Sequence, residues 1–443
     1  MRTRILTCGT AAVVLLLGLP ACAGANPADA SPPTPARPPN VVVIVSDDAG
    51  WADFSFQGSE QVPTPHLDAL AARGVRFTSG YVTAAVCSPS RAGLLTGRYQ
   101  QRFGHETNIP PRYSEENGLP TDEVLLSDLL REQGYRTIAL GKWHLGYAPR
   151  FHPLSRGFDA YWGFLQGARS YRPIEGTRLN RLLRDREPAP ETFEYMTDAL
   201  ADEAAACIEA HRERPFFLYL AFNAVHTPMH ADPAVLEEVA DITPPRRQKL
   251  VAMTISLDRA VGRVLDALRE HGLEQDTLVV FVNDNGGATN NASRNDPLRG
   301  TKGTPFEGGH RVPFLMSWPA RLPRGVDYDL PVSTLDVLPT ALAAAGREGG
   351  TPKPLDGVDL LPLLTGATDG RPHDVLFWRL KDDRAVRDGD WKLVVRGDRD
   401  PMLFDLAADP SEARDLAREQ PERVAALRSK LAAWEAELAE PRW

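Results

Sequence analysis

The sequence predicts an α/β fold: a large, mixed but mostly parallel sheet sandwiched by helices, with a smaller antiparallel sheet and a helix at the C-terminus. Residues 40–45 and 277–282 are continuous apolar runs rich in β-branched residues, as in strands that are buried on both faces. Helical patterns alternate with strand patterns along most of the chain, which indicates a parallel sheet. From about Arg371 the pattern changes to short strands joined by Asp and Gly turns, which indicates an antiparallel sheet.

The other predicted elements follow in chain order. Helices are expected at residues 65–73, 123–133, 197–211 and 244–270, and further strands at residues 137–140 and 216–222. Thr243 is the expected N-terminal cap of the longest helix. Short C-terminal strands are expected at residues 375–378, 384–387, 391–395 and 402–405. A last helix is expected from near Ser411, because apolar residues at helical spacing follow it: Val424, Leu427, Leu431, Trp434 and Leu438.

The N-terminus has the pattern of an export signal. Arg2 and Arg4 precede an apolar run at residues 5–19, which is too short to span a bilayer, and no later run is long and apolar enough. Cleavage could follow the small residues at 21–23, or the segment could be a bacterial lipoprotein signal with Cys22 as the acylated residue. We therefore expect a protein of the periplasm or cell surface, or a secreted one. If the lipoprotein alternative holds, a lipid anchor at Cys22 is the membrane contact that we expect.

Composition and pattern together suggest four parts. Residues 1–22 are the expected signal peptide, and residues 23–38 form an expected disordered linker rich in Pro, Ala and Ser. Residues 39–366 are the expected large α/β domain, and residues 367–443 the C-terminal subdomain with its antiparallel sheet and helix. A chain of 443 residues is long enough for this arrangement.

Charge and cysteine content exclude some classes of protein. The formal net charge is −9 and no cluster of Lys and Arg is present, so a nucleic-acid partner is not expected. Of the four cysteines, Cys8 and Cys22 lie in the expected signal peptide. Cys87 and Cys207 are too few for a disulfide framework, although one bridge between them is possible.

Two pairs of polar residues follow predicted strands. Asp47 and Asp48 follow the first strand, and Asp284 and Asn285 follow the strand at 277–282. Ligands of open α/β sheets bind beyond the carboxyl ends of the strands, so these side chains are expected to converge. Their oxygen atoms suit Ca²⁺ or Mg²⁺ better than zinc. Either pair alone would more often cap a helix or form a turn, but two pairs at two strand ends favour a metal site.

The segment around Cys87 carries the most specific motif. We expect Cys87 at the mouth of a turn formed with Pro89 and Ser90, and Arg91 close enough to lower the pKa of an acid and to hold an anion. A lone cysteine is usually a buried structural thiol. In this chain the pattern Cys-x-Pro-x-Arg, continued by Ala-Gly-Leu-Leu-Thr-Gly, resembles the signature of the type I sulfatases. In that family the motif directs conversion of the cysteine to formylglycine, so the resemblance implies a formylglycine-generating or equivalent maturation enzyme as a partner.

The resemblance covers nearly the whole chain after residue 38. Matching segments are Asp47–Asp48, residues 141–146 (Gly-Lys-Trp-His-Leu-Gly), His226, residues 284–286, Lys302, residues 309–313, and the tail segments 390–393, 403–406 and 409–412. The resemblance implies an alkaline-phosphatase-like fold and one Ca²⁺ per chain, held by Asp47, Asp48, Cys87, Asp284 and Asn285. It implies that the catalytic residues are Cys87, Arg91, Lys142, His144, His226, Lys302 and Asp284. One visible departure is Asn283, where Ser is common in the family.

These residues suggest roles in the cleavage of a sulfate ester, whose sulfur is shielded by anionic oxygens. A hydroxyl of hydrated formylglycine 87 would attack sulfur, with Asp284 as the base and Arg91 helping to balance the charge. Lys142, Lys302 and His226 would hold the sulfate oxygens, and His226 or Lys302 would protonate the departing alcohol. His144 would take the proton of the second hydroxyl, so that sulfate leaves by elimination and the aldehyde returns.

The sequence leaves two other functions open. One is a phosphodiester or phosphonate monoester hydrolase of the same superfamily, and the other is an inactive, sugar-binding surface lipoprotein. Residues 101–106 resemble sulfatases of the arylsulfatase A and N-acetylgalactosamine-6-sulfatase type, which implies a sulfated sugar as substrate, with an aryl sulfate as the simpler possibility. Residues that could line the pocket are His105, Asn108, Arg169, Ser170, Tyr171, Arg172, His230 and His310.

Overall fold

The computed structural model describes residues 37–174, 180–347 and 349–443. The expected signal peptide 1–22 lies outside these ranges, as does the linker 23–38 except for its last two residues. Within the described ranges, no helix is both long and apolar enough to cross a bilayer. The boundary expected near residue 366 stays a prediction.

The main sheet is mixed and mostly parallel, as predicted. Its strands are β1 (Asn40–Ser46), β2 (Val75–Phe77), β4 (Arg136–Lys142), β5 (Ala160–Phe164), β6 (Leu183–Arg184), β7 (Glu187–Pro188), β8 (Phe216–Ala221), β9 (Thr277–Asn283), β10 (Phe314–Ser317) and β11 (Val326–Tyr328). The strand order is β11-β2-β10-β9-β1-β8-β4-β5-β6-β7. The five central strands, from β9 to β5, are parallel, so their carboxyl ends lie at one edge of the sheet. A two-stranded sheet joins β3 (Gly80–Tyr81) and β12 (Val332–Ser333).

The helices follow in chain order. They are α1 (Pro65–Ala72), α2 (Cys87–Thr96), α3 (Leu126–Glu132), α4 (Met196–His211), α5 (Pro233–Glu238), α6 (Pro245–Glu270), α7 (Glu307–His310), α8 (Val337–Ala344), α9 (Leu361–Leu364) and α10 (Pro421–Glu435). Alternate residues of β1 face different apolar cores: Val41 and Val43 pack in one, Val42 and Ile44 in the other. A strand buried on both faces has no polar face, which explains its continuous apolar run.

The C-terminal part forms the predicted antiparallel sheet. Its strands are β13 (Val375–Leu380), β14 (Asp383–Asp388), β15 (Trp391–Arg396) and β16 (Met402–Asp405), paired in sequence order. Helix α10 packs on this sheet through Leu427, Leu431 and Trp434, which belong to one core with residues of β14 and β15. The predicted class, a mostly parallel α/β sheet with a smaller antiparallel sheet and a helix, is therefore confirmed.

Three expected helix boundaries are wrong. The helix expected at residues 123–133 begins at Leu126, because Leu125 is its N-cap and donates its N–H to Asp128. The last helix begins at Pro421 and not near Ser411, because the intervening residues make other contacts: Asp409 accepts hydrogen bonds from Ser411 and from the backbone of Arg414. Thr243 does not cap α6, since Pro244 occupies that position and makes no side-chain capping bond. Pro245 in the first turn lacks the N–H that a cap would satisfy.

The possible bridge between Cys87 and Cys207 does not form, since both thiols are free. Cys207 lies on α4 among apolar residues of the core and is a small packing residue, as its surroundings in the sequence indicate.

A buried ion network joins the C-terminal sheet to the main body. Lys392 of β15 lies 2.8 Å from Glu307 Oε1 and 2.9 Å from Glu412 Oε1, and all three side chains have no exposed surface. The backbone N–H of Glu307 donates to Glu412 Oε2 at 2.7 Å. His310 Nε2 lies 3.0 Å from the Lys392 amine. Two tail motifs thus meet the segment that follows Lys302.

Candidate active site

The two polar pairs meet at the carboxyl edge of the main sheet. Ser46 and Asn283 are in register as the last residues of β1 and β9, so the residues that follow them lie side by side. Asn285 Nδ2 donates to Asp48 Oδ1 at 2.8 Å, and the Asp48 N–H donates to Asp284 Oδ1 at 3.4 Å. All four side chains are buried. The edge of the sheet therefore concentrates three carboxyl groups and one amide in a small volume.

Three cations balance these carboxylates: Lys142 and Arg91 are buried, and Lys302 is partly exposed. Lys142, the last residue of β4, lies 2.5 Å from Asp47 Oδ2, and Lys302 lies 2.6 Å from Asp48 Oδ1. Arg91 donates twice to Asp284 Oδ2, at 3.0 and 2.8 Å, and once to the Lys142 carbonyl at 3.2 Å. Its guanidinium is fully buried, so in this structure the anion that it holds is a carboxylate of the site. Arg91 thereby fixes the orientation of Asp284.

Burial and charge shift the acids of the site in opposite directions. Burial alone would raise the pKa of Asp47, but the positive charges of Lys142, His226 and Arg91 hold it well below its usual value. For Asp284, burial and the neighbouring Asp47 raise the pKa, and Arg91 opposes the rise. Since opposite charges favour the ionised form and burial disfavours it, the two acids are inequivalent.

Cys87 opens helix α2 in the centre of this cluster. Its Sγ lies 3.7 Å from Asp47 Oδ1, and the Lys302 amine donates to it at 3.1 Å. The expected turn at Pro89 is instead the first turn of α2, where a proline fits because that turn has no intrahelical partner for the N–H. Burial and the Asp284 charge raise the pKa of the Cys87 thiol to about 12. The unmodified thiol is therefore protonated at neutral pH and a weak nucleophile.

Two histidines border the cluster. His226 Nε2 lies 3.5 Å from Asp48 Oδ2, and its side chain is 17% exposed, so it faces both the carboxylates and solvent. His144 is buried, and its Nδ1 has no hydrogen-bond partner in the described part of the chain. Burial and the charges of Lys142 and Arg91 lower the pKa of His144 well below its usual value. A neutral imidazole with an unused nitrogen can accept a proton.

The donor atoms fit a hard divalent cation. Asp47, Asp48, Cys87 and His226 each offer one ligand atom, and these atoms lie within 4.8 Å of one another. Asn285 Oδ1 is buried and has no hydrogen-bond partner among the described residues. A buried carbonyl without a partner is costly, and a cation would satisfy it. The three oxygen donors, from Asp47, Asp48 and Asn285, suit Ca²⁺ or Mg²⁺.

Several residues that hold the site in place have no recognisable signal in the sequence. The Asn283 side chain donates to the Ala49 carbonyl at 2.8 Å and accepts from Ser46 Oγ at 2.8 Å, so it ties the loop after β1 to the end of β9. Asn291 donates to the Asp48 carbonyl at 3.0 Å. An amide after a strand is a common loop feature, so only the tertiary contacts reveal these roles.

Some of the suggested pocket residues hydrogen-bond to residues of the site, and others contact residues outside it. Tyr171 donates to the carbonyl of His226 at 2.8 Å, and Asn108 accepts from the backbone of Ser88 at 2.9 Å, so both support the site from behind. His105 also supports the site, because its Nε2 contacts Ser88 Oγ, which in turn donates to the His144 carbonyl. Others belong to separate networks: Arg169 pairs with Glu191, Ser170 with His230, and His310 with Lys392. The Arg172 guanidinium lies 3.5 Å from the Ala231 carbonyl.

A cavity of about 620 Å³ lies beside the segments that carry Cys87 and Lys302. Val86 and Gly303, the neighbours of Cys87 and Lys302 in the chain, form part of its wall. The opposite part consists of Thr107, Asn108 and the turn between β13 and β14, residues 380–383. The C-terminal sheet therefore contributes to the surroundings of Cys87.

Known proteins match this chain over most of its length. Residues 39–347 match the family model described as Sulfatase, and residues 302–437 match that described as N-sulphoglucosamine sulphohydrolase, C-terminal. N-acetylgalactosamine-6-sulfatase of Canis lupus familiaris is 35% identical over 381 residues, which cover 80% of this chain and 71% of that protein. Arylsulfatase A of Homo sapiens is 34% identical over 437 residues, which cover 86% of this chain and 84% of that protein.

A solved structure described as Ps i-CgsB in complex with k-i-k-neocarrahexaose superposes with a TM-score of 0.87 at 35% identity. The superposition covers 92% of this chain and 95% of that one.

Proposed function

The chain belongs to the sulfatase family and is a sulfuric ester hydrolase; we propose that its substrates are sulfated carbohydrates and that Cys87, converted to formylglycine, is its nucleophile. The observation that carries the proposal is the position of Cys87. Its side chain lies between Asp47 and Lys302 at the start of a helix, and the preceding residue, Val86, lines a cavity.

The modification answers a chemical need of the site. The buried thiol is protonated at neutral pH. An aldehyde at this position adds water, and one hydroxyl of the hydrate can attack sulfur while the ester oxygen leaves with a proton. Loss of the proton from the second hydroxyl lets its electron pair form C=O, which breaks the bond to the sulfated oxygen and releases sulfate. An unmodified Ser or Cys has no second hydroxyl for this elimination.

The surrounding side chains supply charge and protons. Lys302, which already contacts the Cys87 sulfur at 3.1 Å, would hold the sulfate oxygens. His226 faces both solvent and the carboxylates, so it can protonate the departing alcohol, a role that Lys302 could also fill. His144, neutral and with an unused nitrogen, would take the proton of the second hydroxyl. Lys142 and Arg91 would hold Asp47 and Asp284 in place, with Asp284 as the base for the attacking hydroxyl.

We propose one Ca²⁺ per chain at the oxygen cluster, held by Asp47, Asp48, Asp284, Asn285 and residue 87. Support comes from the convergence of Asp47, Asp48 and Cys87, and from the unsatisfied Asn285 carbonyl. Asp284 is included because its Oδ1 accepts from the Asp48 N–H, although its Oδ2 accepts from Arg91. When bound, the cation would neutralise negative charge on the sulfate oxygens and on the nucleophile.

Sulfated sugars as substrates are supported by the cavity and by the relatives. The cavity of about 620 Å³ has room for a sugar, and its rim offers the exposed charged residues Lys381 and Asp382. The canine relative is named for a sulfated amino sugar, and the superposed structure holds a carrahexaose. Both support a carbohydrate substrate for this chain.

We also propose that the protein is exported to the periplasm, the cell surface or the medium, and that a formylglycine-generating or equivalent enzyme converts Cys87. Acylation at Cys22 would anchor the protein to a membrane, whereas cleavage after Ala23 would release it. Labelling of cells with a radioactive fatty acid distinguishes the two routes, with Cys22→Ala as the control.

The first test is the mass of the peptide that contains Cys87, from protein made in a host with a maturation enzyme. Exchange of H₂S for one oxygen is expected at Cys87, while Cys207 in the same sample keeps its thiol as an internal control. Cys87→Ala should release no sulfate. An unmodified thiol, in a host that modifies another Cys-x-Pro-x-Arg protein, would contradict the proposed nucleophile and favour a sugar-binding module.

Turnover then separates the related activities. The protein should cleave an aryl sulfate faster than an aryl phosphate diester or an aryl phosphonate monoester. The reverse order would favour the phosphonate or phosphodiester alternative.

A further inference from the structure

A second cavity borders the site at His226. Its volume is about 640 Å³, and its walls come from two segments, residues 227–230 and the first turn of α6 with Pro245, Arg246 and Lys249. Thr227 follows His226 directly, and His226 Nδ1 contacts the Thr227 carbonyl at 2.6 Å. The cavity therefore begins one residue from a side chain that faces the reacting centre.

The charge of this cavity is opposite to that of the protein. The chain has a formal net charge of −9, yet the lining contains Arg246, Lys249 and His230 and no Asp or Glu. Arg246 and Lys249 are exposed. Among the described residues, no carboxylate oxygen lies within 4.0 Å of either side-chain cation, so neither forms an ion pair.

Other cations of the same helix are paired. Arg259 lies 2.6 Å from Glu238, and Arg263 lies 3.1 Å from Asp202. Ion pairing is thus the rule further along α6, and the two cations at the cavity depart from it.

His230, which also lines the cavity, lies near positive charges. Burial and then the charges of Arg172 and Lys249 lower the pKa of His230. His230 Nδ1 lies 3.3 Å from Ser170 Oγ, which holds the ring at the cavity wall. A pocket with cations and no acid attracts anions and raises their local concentration.

We infer that this cavity binds a second anionic group, a sulfate or a carboxylate, of the sugar chain whose sulfate ester lies at Cys87. The inference rests on the proposed function, because it assigns the anion to the same substrate. It makes the enzyme selective for sugars that carry more than one negative charge, with Arg246 and Lys249 as the residues that recognise the second charge.

The test measures binding in the absence of turnover. The background is the full chain with Cys87→Ala, loaded with Ca²⁺, and the probe is a chondroitin 6-sulfate hexasaccharide, which carries both sulfates and carboxylates. Arg246→Gln with Lys249→Gln should weaken binding roughly tenfold in calorimetry at low salt, because two exposed charge pairs each contribute modestly. The difference should shrink in 0.5 M NaCl, since salt screens such pairs.

A matched control is Arg428→Gln. Arg428 is also exposed and helical but lies on α10, outside the cavity lining. This control should bind like the Cys87→Ala background. Thermal melting of all variants shows that they fold.

A second measurement uses the carboxyl-reduced hexasaccharide as the probe and shows whether the recognised anion is a sulfate or a carboxylate. A tenfold effect that persists identifies a sulfate, and one that disappears identifies a carboxylate. Equal binding by the double variant and the background in both cases overturns the inference, as does hexasaccharide binding no tighter than that of an aryl sulfate. Aryl sulfate turnover by the unsubstituted protein tests the proposed function separately, so either can fail alone.

Discussion

Substitution of Lys392 by methionine should destabilise the protein strongly. The Lys392 amine is the cation between Glu307 and Glu412, at 2.8 and 2.9 Å, and none of the three side chains is exposed. Methionine has a similar length and adds no large cavity, so the main change is the loss of one buried charge. Glu307 keeps the hydroxyl of Tyr81 at 2.6 Å, whereas Glu412 loses its cation.

The magnitude follows from the burial of the carboxylates. Removing one partner of a buried ion pair leaves an uncompensated charge, which costs about 3–5 kcal/mol of unfolding free energy. Burial already raises the pKa of Glu412, and the Lys392 charge opposes the rise. Without Lys392 the pKa in the folded state should increase further above that of the unfolded chain. The loss is therefore largest at neutral pH and becomes smaller as the pH falls and Glu412 takes up a proton.

Urea unfolding followed by tryptophan fluorescence, at pH 7.5 and pH 5, measures this loss. Lys430→Met is the matched control, because Lys430 pairs with Asp388 at 2.6 Å but the two side chains are 45% and 36% exposed. The control should lose no more than about 1 kcal/mol. Adding Glu412→Gln to Lys392→Met should restore part of the stability. Equal losses for Lys392→Met and Lys430→Met, or a further loss on adding Glu412→Gln, would refute the reasoning.

Three further outcomes are expected. His373 Nε2 contacts Asp336 at 2.8 Å. Burial would lower the pKa of His373, but the Asp336 charge raises it above its usual value. The contact therefore stabilises the fold fully below about pH 6.5, and this stabilisation is lost as the pH rises through the pKa of the folded state. His373→Asn should therefore cost about 1–2 kcal/mol in urea unfolding at pH 6 and less at pH 9. Gly286→Ala would place a Cβ 1.8 Å from the Gly308 carbonyl, and a destabilisation of about 1–3 kcal/mol is expected in the same assay; an unchanged midpoint would contradict the close approach. Chelation of divalent metal should lower the melting temperature and Ca²⁺ should restore it, because a cation that binds only the folded state at a hundredfold excess over Kd adds about 2.7 kcal/mol. Asp48→Asn should blunt this response, and a full response in that variant would argue against the proposed ligands.

The sequence predicts well the features that depend on local pattern and on general rules of sheets. The strands β1 and β9 are predictable because a strand buried on both faces has an unbroken apolar run. The rule that ligands lie beyond the carboxyl ends of parallel strands predicts that Asp47 and Asp284 lie near each other, as they do.

What the sequence does not predict depends on tertiary contacts. The pattern predicts a helix at Glu412, but this segment forms turns instead; Glu412 has a positive φ of 53°, and its side chain contacts Lys392. Asn283 differs from the residue common in the family, and only its bonds to Ala49 and Ser46 show that it joins two loops. The motif predicts that Arg91 faces an anionic ligand, and its complete burial against Asp284 shows a supporting role in this structure.

The burial of Cys87 restricts when the proposed conversion to formylglycine can take place. The side chain is 1% exposed, at the start of a helix that is buried along its whole length. Another protein cannot reach it there, so the conversion that we propose must take place before this part of the chain folds. Cys87 is synthesised well before Lys392 and Glu412, whose contacts join the C-terminal sheet to the main body. This order leaves an interval in which a maturation enzyme can act. A molecule that folds too early keeps its thiol, and each folded molecule is thereby fixed as active or inactive until it unfolds.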